Sequence, residues 1–281
     1  MGDANFLFYN GKISKTGKPL LSPDNRSFRY GDGFFSTMKM VNGKIQLSDY
    51  HFERLFSSLE LLKFQKPVYF TREYLEEQAV TLAKKNYHHK LARIRLTVFR
   101  GDGGLYDVDN HFPHHLIQSW ALKPVNNNLN ENGLVIDVFK DAKKVCDLFS
   151  PVKSNNYLSY VMAALWAKQH KLNDAVLLNP YNRIADSTIA NVFIVKDGIV
   201  RTPALTEGAV DGVMRRHILH SLRKENMPVE ETQLTVDDLK EAAEIFLTNS
   251  IYGIRWVKQF GESGYTNPLA ALLHKKMVLS L

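Results

Sequence analysis

The segment Leu91–Phe99 alternates apolar with mostly polar residues, and this pattern constrains the fold more than any other stretch. In an extended chain successive side chains point to opposite faces, so the apolar set shares one face and the other set lies opposite. The apolar face would carry Ala92, Ile94, Leu96 and Val98, and the other face Arg93, Arg95, Thr97 and Phe99. The pattern predicts a strand with one face in a core.

Helical and extended patterns are mixed along the rest of the chain. Ser48 can cap a helix from Asp49 to about Phe64. Its core face would hold Phe52, Leu55, Phe56, Leu59 and Leu62. Further helices are predicted over Thr71–Tyr87, Leu158–His170 and Val213–Lys224. Further strands are predicted over Phe6–Tyr9, Phe34–Val41, Lys44–Leu47, Leu134–Phe139, Ala175–Asn179, Val192–Val195 and Ile245–Thr248. The expected class is mixed α/β (α+β).

The run Lys123–Asn130 is rich in asparagine and nearly free of core residues, which is typical of a linker. We therefore predict a small N-terminal domain over residues 1–122, a linker over 123–132 and a larger C-terminal domain over 133–281. The 281 residues, 44% of them apolar, suffice for one large or two ordinary domains.

The chain is basic, with a formal net charge of +7. Such a balance suits nucleic acid, a membrane surface or an anionic small molecule. The basic residues are scattered, and the only dense group is Arg215-Arg216-His217. No zinc-ligand set, RNA-binding aromatic signature or basic-region heptad occurs. A phosphate-bearing ligand fits the charge at least as well as nucleic acid.

Other features bear on location and metal binding. The single cysteine, Cys146, rules out an intramolecular disulfide and is compatible with a reducing cytoplasm. No apolar run has the length of a membrane span, and the N-terminal residues lack a secretory pattern. His111, His114 and His115 are close in sequence but lack a suitably spaced further ligand. We expect a soluble cytoplasmic protein without a metal site.

Lys153 precedes the predicted helix Leu158–His170 in a short polar run after Pro151. An ammonium group in a partly apolar pocket loses its proton more readily and becomes a nucleophile. The alternative is that Lys153 is one of many surface lysines. Its neighbours in the fold decide between the two.

Several further motifs suggest an anionic, nitrogen-containing cofactor. Gly212 precedes the helix that starts at Val213, and free N–H groups at a helix start bind phosphate. Thr248 follows a strand and could add a hydroxyl donor. Asp186 stands on a predicted polar turn before a strand, and Arg54 lies beside the apolar stripe of its helix. Plain helix caps give the same local patterns, so only the combination is informative.

In order and spacing, these motifs resemble the class IV aminotransferase family, the pyridoxal-phosphate enzymes of fold type IV. The resemblance covers nearly the whole chain. It rests on Asn10-Gly11, Tyr30-Gly31-Asp32-Gly33, His51-Phe52-Glu53-Arg54-Leu55, Lys153, residues 185–193, Thr202-Pro203, Gly212-Val213-Met214-Arg215 and Thr248-Asn249-Ser250.

The resemblance implies a fold, a cofactor and a set of roles. The fold would be a small N-terminal α/β domain and a larger, barrel-like C-terminal α/β domain with pyridoxal 5′-phosphate between them. Lys153 would form the internal aldimine and later move the proton. The remaining cofactor contacts would be Arg54, Val213, Met214 and Thr248 at the phosphate, Tyr157 near the phenolic oxygen and Asp186 at the pyridine nitrogen. Asp186 stands where the family usually has Glu, about 1.5 Å longer in reach.

The resemblance also suggests which family member this is. Ser36, the four-residue spacing from Lys153 to Tyr157 and the Met214 position resemble aminodeoxychorismate lyases. An amino-acid transaminase of the D-amino-acid or branched-chain type is the alternative. Arg95 is the candidate carboxylate binder on the substrate side, with a surface arginine as the alternative. His111 is expected to reach the cleft of a neighbouring subunit, because family members are commonly homodimers.

A remote alternative from another class is a basic nucleic-acid-binding module that only retains the family's residues. It predicts a colourless protein whose DNA affinity depends on salt. The joint presence of Lys153, Arg54 and both phosphate motifs argues against it. We expect a small amino-carboxylate substrate, with neither nucleic acid nor a membrane as a partner.

Overall fold

The computed structural model describes residues 5–106 and 111–281. Residues 1–4 and 107–110 lie outside this range. The expectation that the N-terminal residues lack a secretory pattern rests in part on residues 1–4. The chain separates into two compact units. The N-terminal unit runs to Val125 and includes Lys153–Asn156, and the C-terminal unit comprises Asn126–Val152 and Tyr157–Leu281. The division predicted at residues 123–132 stays a prediction.

The N-terminal unit is a six-stranded sheet in the order β2-β1-β6-β5-β3-β4, with helices packed on it. The strands are β1 Phe6–Tyr9, β2 Lys12–Lys15, β3 Gly33–Val41, β4 Lys44–Ile45, β5 Leu91–Phe99 and β6 His114–Ala121. The helices are α1 Arg26–Tyr30, α2 Ser48–Leu61 and α3 Arg72–Lys85. Strand β5 has the predicted bounds, and its apolar face is fully buried as predicted.

The start of α2 differs from the prediction. The cap position is Leu47, in a left-handed conformation with φ 52° and without a capping side chain. Ser48 lies inside the helix, and its hydroxyl donates to Glu76 Oε1 at 3.1 Å. The predicted Ser48 cap is therefore wrong. The return strand β4 ends at Ile45, so the chain has already turned by Leu47 and the helix starts one residue earlier.

The C-terminal unit contains a nine-stranded sheet, with the main order β12-β11-β10-β13-β14-β7-β8-β9 and β15 paired to β14. Its strands are β7 Leu134–Lys143, β8 Asp174–Leu178, β9 Ile184–Ser187, β10 Asn191–Lys196, β11 Ile199–Pro203, β12 Val229–Thr232, β13 Glu244–Asn249, β14 Gly253–Phe260 and β15 Ser263–Gly264. Its helices are α4 Leu158–Gln169, α5 Val213–Lys224, α6 Val236–Lys240 and α7 Pro268–Leu273.

The sheet of the C-terminal unit combines parallel and antiparallel pairs. Strand β7 lies between β14 and β8 and is parallel to both, whereas β10, β13 and β14 are antiparallel neighbours. Strand β8 is buried at every position, as expected for a strand covered on both faces. The mixed α/β class predicted from the sequence is confirmed.

The short elements and the predicted linker agree less well with the sequence patterns than the long helices and strands do. The asparagine-rich run forms a short 3₁₀ helix, Pro124–Asn127. Helix α1 and the short strands β9, β11 and β12 carry too little periodicity to be predicted. In the described part of the chain, no helix is both long and apolar enough to cross a membrane.

Candidate active site

Lys153 lies against strand β3 of the N-terminal unit. Its carbonyl accepts a hydrogen bond from the Phe35 N–H at 2.9 Å, and Ser154 forms a bridge with Phe34. This pairing groups Lys153–Asn156 with the N-terminal unit, although the sequence placed the segment in the C-terminal domain. The ammonium nitrogen lies 5.0 Å from the centroid of the buried Phe35 ring. Backbone pairing therefore fixes the residue, and an aromatic ring lies beside its amine.

Arg95 contacts the same aromatic ring. It pairs with Thr37 across β3 and β5, and its guanidinium carbon lies 3.6 Å from the Phe35 centroid. Arg95 Nε donates to Thr97 Oγ1 at 3.3 Å. The N-terminal unit thus brings Lys153 and Arg95 together at Phe35, a residue that the sequence analysis did not single out. Carboxylate binding by Arg95 stays a prediction, and its position close to Lys153 is what that role requires.

Ser36 connects Arg54 to a buried histidine. Arg54 Nη2 donates to Ser36 Oγ at 3.1 Å, and Ser36 Oγ lies 2.8 Å from His51 Nδ1. Burial, followed by the charge of Arg54, lowers the pKa of His51 well below its usual range, so the ring is neutral. Ser36 accepts from Arg54, and its oxygen can either donate to His51 Nδ1 or accept from it, so the contacts do not decide the tautomer of His51. His51 Nε2 is buried and has no hydrogen-bond partner in the described residues.

This chain of contacts bears on two sequence-based assignments. Ser36 was assigned to the substrate, and that role stays a prediction; the contacts of its hydroxyl are to Arg54 and His51. His51 itself was missed. Its position three residues before Arg54 on the same helix was the available signal, because such residues are neighbours on one helical face.

His111 lies in the N-terminal unit. Its carbonyl accepts a hydrogen bond from the Gln65 N–H at 2.9 Å. The ring Nδ1 is buried and has no hydrogen-bond partner within residues 5–106 and 111–281. The predicted reach toward a neighbouring subunit stays a prediction. Among the same residues, no group of three or more histidine, cysteine, aspartate and glutamate side chains could hold a metal ion.

Asp186 lies inside strand β9, so the prediction of a polar turn was wrong. The residue pairs with Leu177 of β8, and this pairing makes the backbone extended and buries the side chain. The carboxylate accepts from Asn191 Nδ2 at 2.9 Å, from the Val210 N–H at 2.8 Å and from the Tyr160 hydroxyl at 3.3 Å. These contacts fix the orientation of the acid.

Tyr157 and Tyr160 lie together at the start of α4. Tyr157 is the cap residue, and its ring stacks on Tyr160 with centroids 4.3 Å apart. Burial, followed by the charge of Asp186, raises the pKa of Tyr160 well above its usual range, so it remains a donor. Tyr160 was missed in the sequence, although it lies one turn after Tyr157.

A third group is arranged around Asn191. Gly212 is the cap residue of α5, and no side chain caps the first turn. A Cβ at Gly212 would collide with the Asn191 amide oxygen. Thr248 lies opposite Asn191 in the β10–β13 ladder, and its buried Oγ1 has no hydrogen-bond partner in the described residues. A helix start, an unpaired hydroxyl and the acid Asp186 therefore share Asn191 as a neighbour.

This group fits the cofactor that the sequence implies. A helix N-terminus and a hydroxyl bind phosphate oxygens, and a carboxylate matches a protonated ring nitrogen. The C-terminal unit holds five of the predicted site residues, namely Tyr157, Asp186, Val213, Met214 and Thr248. The N-terminal unit holds the other five, namely Ser36, Arg54, Arg95, His111 and Lys153.

Comparison with known proteins gives the same family at the level of sequence. The family model described as amino-transferase class IV matches residues 33–260. An aminodeoxychorismate lyase from Vibrio harveyi is 31% identical over 260 residues, which cover 88% of this chain and 89% of that protein. A D-alanine aminotransferase from Listeria monocytogenes is 26% identical and covers 91% of this chain and 89% of that protein.

Solved structures share the fold across almost the whole chain. A branched-chain aminotransferase from Thermoproteus uzoniensis matches with a TM-score of 0.86 at 22% identity, covering 98% of this chain and 95% of that one. A 4-amino-4-deoxychorismate lyase from Pseudomonas aeruginosa matches with a TM-score of 0.81 at 22% identity, covering 98% and 97%. At this identity the likeness describes the fold and not the reaction.

Proposed function

Because the chain belongs to the class IV aminotransferase family, whose members are enzymes that use pyridoxal phosphate, we propose that it is an aminodeoxychorismate lyase. The reaction removes pyruvate from aminodeoxychorismate and releases p-aminobenzoate. The observation that carries this choice is the similarity to the Vibrio harveyi lyase over most of both chains. Ser36 and the Lys153–Tyr157 spacing agree with it.

In this proposal the C-terminal unit holds most of the cofactor. Thr248 Oγ1 and the N–H groups of Val213 and Met214 bind the phosphate, because a buried hydroxyl without a partner and an uncapped helix start both lack an acceptor. Arg54 adds a planar guanidinium group that can donate two hydrogen bonds to the phosphate, and its contact with Ser36 holds it in place. Asp186 would pair with the pyridine nitrogen and keep it protonated, and Tyr157 would contact the phenolic oxygen.

The N-terminal unit supplies the reacting amine in this proposal. Bound pyridoxal phosphate supplies an electron sink for the carbanion that forms when the substrate loses a proton. Lys153 provides the amine that attaches the cofactor and the base that moves this proton. Arg95 binds a substrate carboxylate, which the shared contact with Phe35 supports.

The lyase proposal is tested by incubating the purified protein with aminodeoxychorismate and measuring p-aminobenzoate and pyruvate. We expect both products in equal amounts, and we expect Lys153→Ala to abolish them. Lys44→Ala is the matched control, because Lys44 is an exposed lysine of the same unit. If the native protein forms no p-aminobenzoate, the lyase assignment is wrong.

The alternative reaction is transamination of an amino acid. The similarity to D-alanine aminotransferases over most of the chain favours it. A transaminase would convert one equivalent of an amino donor into its keto acid even when no keto-acid acceptor is added. The visible absorbance of the bound cofactor would decrease in proportion to the keto acid formed. Titration with D-alanine and with L-leucine separates the two transaminase types and also separates both from the lyase.

We further propose a homodimer that works in the cytoplasm, with His111 at the cleft of the neighbouring subunit. The single cysteine is compatible with a reducing compartment, and the buried unpaired His111 Nδ1 lacks an intramolecular partner among the described residues. Light scattering coupled to gel filtration would report the mass. A monomer that is fully active at nanomolar concentration would contradict the shared-cleft role.

A further inference from the structure

Lys39 and Arg93 face each other across strands β3 and β5. Lys39 is only 5% exposed, and its ammonium group has no hydrogen-bond or ion-pair partner among residues 5–106 and 111–281. Arg93 Nε is buried and likewise lacks a hydrogen-bond partner in this range. The Arg93 guanidinium carbon lies over the Trp120 ring, 5.2 Å from its centroid. Two cations therefore occupy one cross-strand pair without an acid beside them.

Such a pair is unfavourable for the isolated protein. Side chains directly opposite in a sheet have Cβ atoms about 5 Å apart, but the Arg93 guanidinium lies over Trp120 of β6, on the other side of β5 from Lys39. The cost at Lys39 is therefore that of burying an ammonium group without a partner, and burial lowers the pKa of Lys39. A sequence selected for stability alone would place an apolar residue at this position. A bound anion would remove this cost.

The position of the pair relates it to the proposed active site. Lys153 contacts Phe35, the Arg95 side chain starts from the next cross-strand pair along β3, and Lys39 with Arg93 forms the pair after that. Phe35 and Lys39 of β3 project from the same face of the sheet as Arg93 and Arg95 of β5, because they occupy alternate positions along paired strands. Adjacent pairs on one face are about 7 Å apart along the strand. The cations thus form a row that starts at the reacting amine.

We propose that Lys39 and Arg93 form an anion subsite that receives the second carboxylate of a dicarboxylate substrate, the first carboxylate being bound by Arg95. This inference rests on the proposed function, because aminodeoxychorismate carries two carboxylates. It goes beyond that function by assigning the outer carboxylate to two residues that have no part in holding the cofactor. The Arg93 guanidinium is held against the Trp120 ring and can donate two hydrogen bonds to one carboxylate. Lys39 adds a compact positive charge.

The test measures binding without turnover. Isophthalate, with two carboxylates on one ring, and benzoate, with one, are titrated into the pyridoxal-phosphate-loaded protein by calorimetry. We expect isophthalate to bind at least ~10-fold more tightly than benzoate, which is the gain in affinity that a hydrogen bond between charged groups provides. Lys39→Met and Arg93→Met should each lose most of this preference, while benzoate affinity stays unchanged. Lys44→Met, an exposed lysine next to the hairpin, should change neither affinity.

The melting temperature of the Lys39→Met variant provides a second readout. If Lys39 had only a structural role, its replacement would lower the melting temperature and not raise it. Lys39→Met keeps the length of the side chain and removes the buried charge, so the ligand-free variant should melt at a higher temperature than the native protein. Lys39→Arg should retain the isophthalate preference because it keeps the charge. Unchanged isophthalate affinity in both Met variants, or a lower melting temperature of Lys39→Met without loss of preference, would overturn the subsite.

The two proposals fail separately. A protein that prefers isophthalate but makes no p-aminobenzoate supports the subsite and overturns only the lyase. A protein that makes p-aminobenzoate but binds both probes equally overturns the subsite and leaves the lyase in place.

Discussion

Two buried threonines in the sheet of the C-terminal unit differ in what their hydroxyls contact. Thr202 Oγ1 donates to the Val192 carbonyl at 2.7 Å. Thr248 Oγ1 is equally buried but has no partner within the described residues. A buried hydroxyl without a hydrogen bond costs about 1–3 kcal/mol in protein mutational data. Of the two hydroxyls, only that of Thr248 is left without a protein partner in the described residues, which is what the proposed phosphate contact requires.

The first prediction concerns Thr248→Val, which removes the hydroxyl and keeps the shape. The cofactor-free variant should be more stable than the native protein by about 1 kcal/mol, because an unpaired polar atom is gone. Its pyridoxal phosphate affinity should fall about tenfold, because a hydrogen bond to a charged group is lost. Urea unfolding and cofactor titration measure the two effects.

Thr202→Val is the matched control for this experiment. It removes a satisfied hydroxyl from the same sheet and leaves the Val192 carbonyl without that donor, so it should destabilise the protein by about 1 kcal/mol. Cofactor affinity should not change. If both valine variants are destabilised alike, Thr248 has a structural role only.

The second prediction concerns Ser36, whose hydroxyl lies between Arg54 and His51. Ser36→Ala removes the group that orients the arginine and leaves the neutral His51 beside an apolar side chain. Pyridoxal phosphate affinity should fall about tenfold, as expected for loss of a hydrogen bond to a charged group. Ser57→Ala, at an exposed serine of α2, the helix that carries His51 and Arg54, serves as the control. A higher KM for substrate at unchanged cofactor affinity would instead assign Ser36 to the substrate.

Among the secondary structure elements, helix α5 has the bounds that the sequence predicted. Its first turn has a glycine cap and no side-chain acceptor. The dense basic group on its sequence does not form a surface patch, because Arg215 is 2% exposed and donates to Glu231 Oε2 at 2.7 Å. This burial further weakens the nucleic-acid alternative, which needs exposed charge.

The third prediction concerns the approach of α5 to Asn191. Gly212→Ala places a methyl group against the Asn191 amide oxygen, so the helix start or the β10 side chain must move. We expect a loss of stability of about 1–3 kcal/mol, as in overpacked cores, together with weaker cofactor binding. Thermal melting and cofactor titration measure this.

Gly104→Ala is the matched control for Gly212→Ala. A Cβ there would meet no atom within 4 Å, so the substitution should leave both stability and cofactor affinity unchanged. Equal behaviour of the two alanine variants would show that the contact between Gly212 and Asn191 does not constrain the helix.

For the whole molecule, several buried histidines favour the neutral form. Burial, followed by the neighbouring His114, lowers the pKa of His115 to about 4, and burial also lowers the pKa values of His51, His88 and His217. Below pH 6.5 the unfolded chain takes up protons that the folded chain does not. The free energy of unfolding must therefore fall as the pH decreases from about 6.5 toward 4.

The fourth prediction tests this dependence with His115→Gln. The side chain is 2% exposed and lies 2.9 Å from Gln78 Oε1, so a neutral amide keeps a polar contact there. The variant should lose less stability between pH 7 and pH 4 than the native protein, by up to about 3 kcal/mol. Urea unfolding at the two pH values measures the difference. His89→Gln, which removes an exposed imidazole of the same unit, is the control.

Much of the architecture could be predicted because it is encoded locally. Strand β5 and helix α5 have the predicted bounds, and Asn10-Gly11 forms the expected hairpin turn, with φ of 46° and 76°. Alternation with period two and recurrence with period 3.6 are visible in any window of adjacent residues. Short elements such as β9 carry too few residues to show either period, so Asp186 was assigned to a turn.

The sequence by itself determined the mixed α/β class and the family, because periodicity and motif spacing are properties of neighbouring positions. The roles that it assigns to the site residues stay predictions. Only the tertiary structure decided that Lys153 pairs with β3, that Ser36 contacts Arg54 and His51, and that Lys39 faces Arg93. These contacts depend on strand register and on the packing of distant segments. Buried polar groups take their partners from that packing, and no local pattern specifies them.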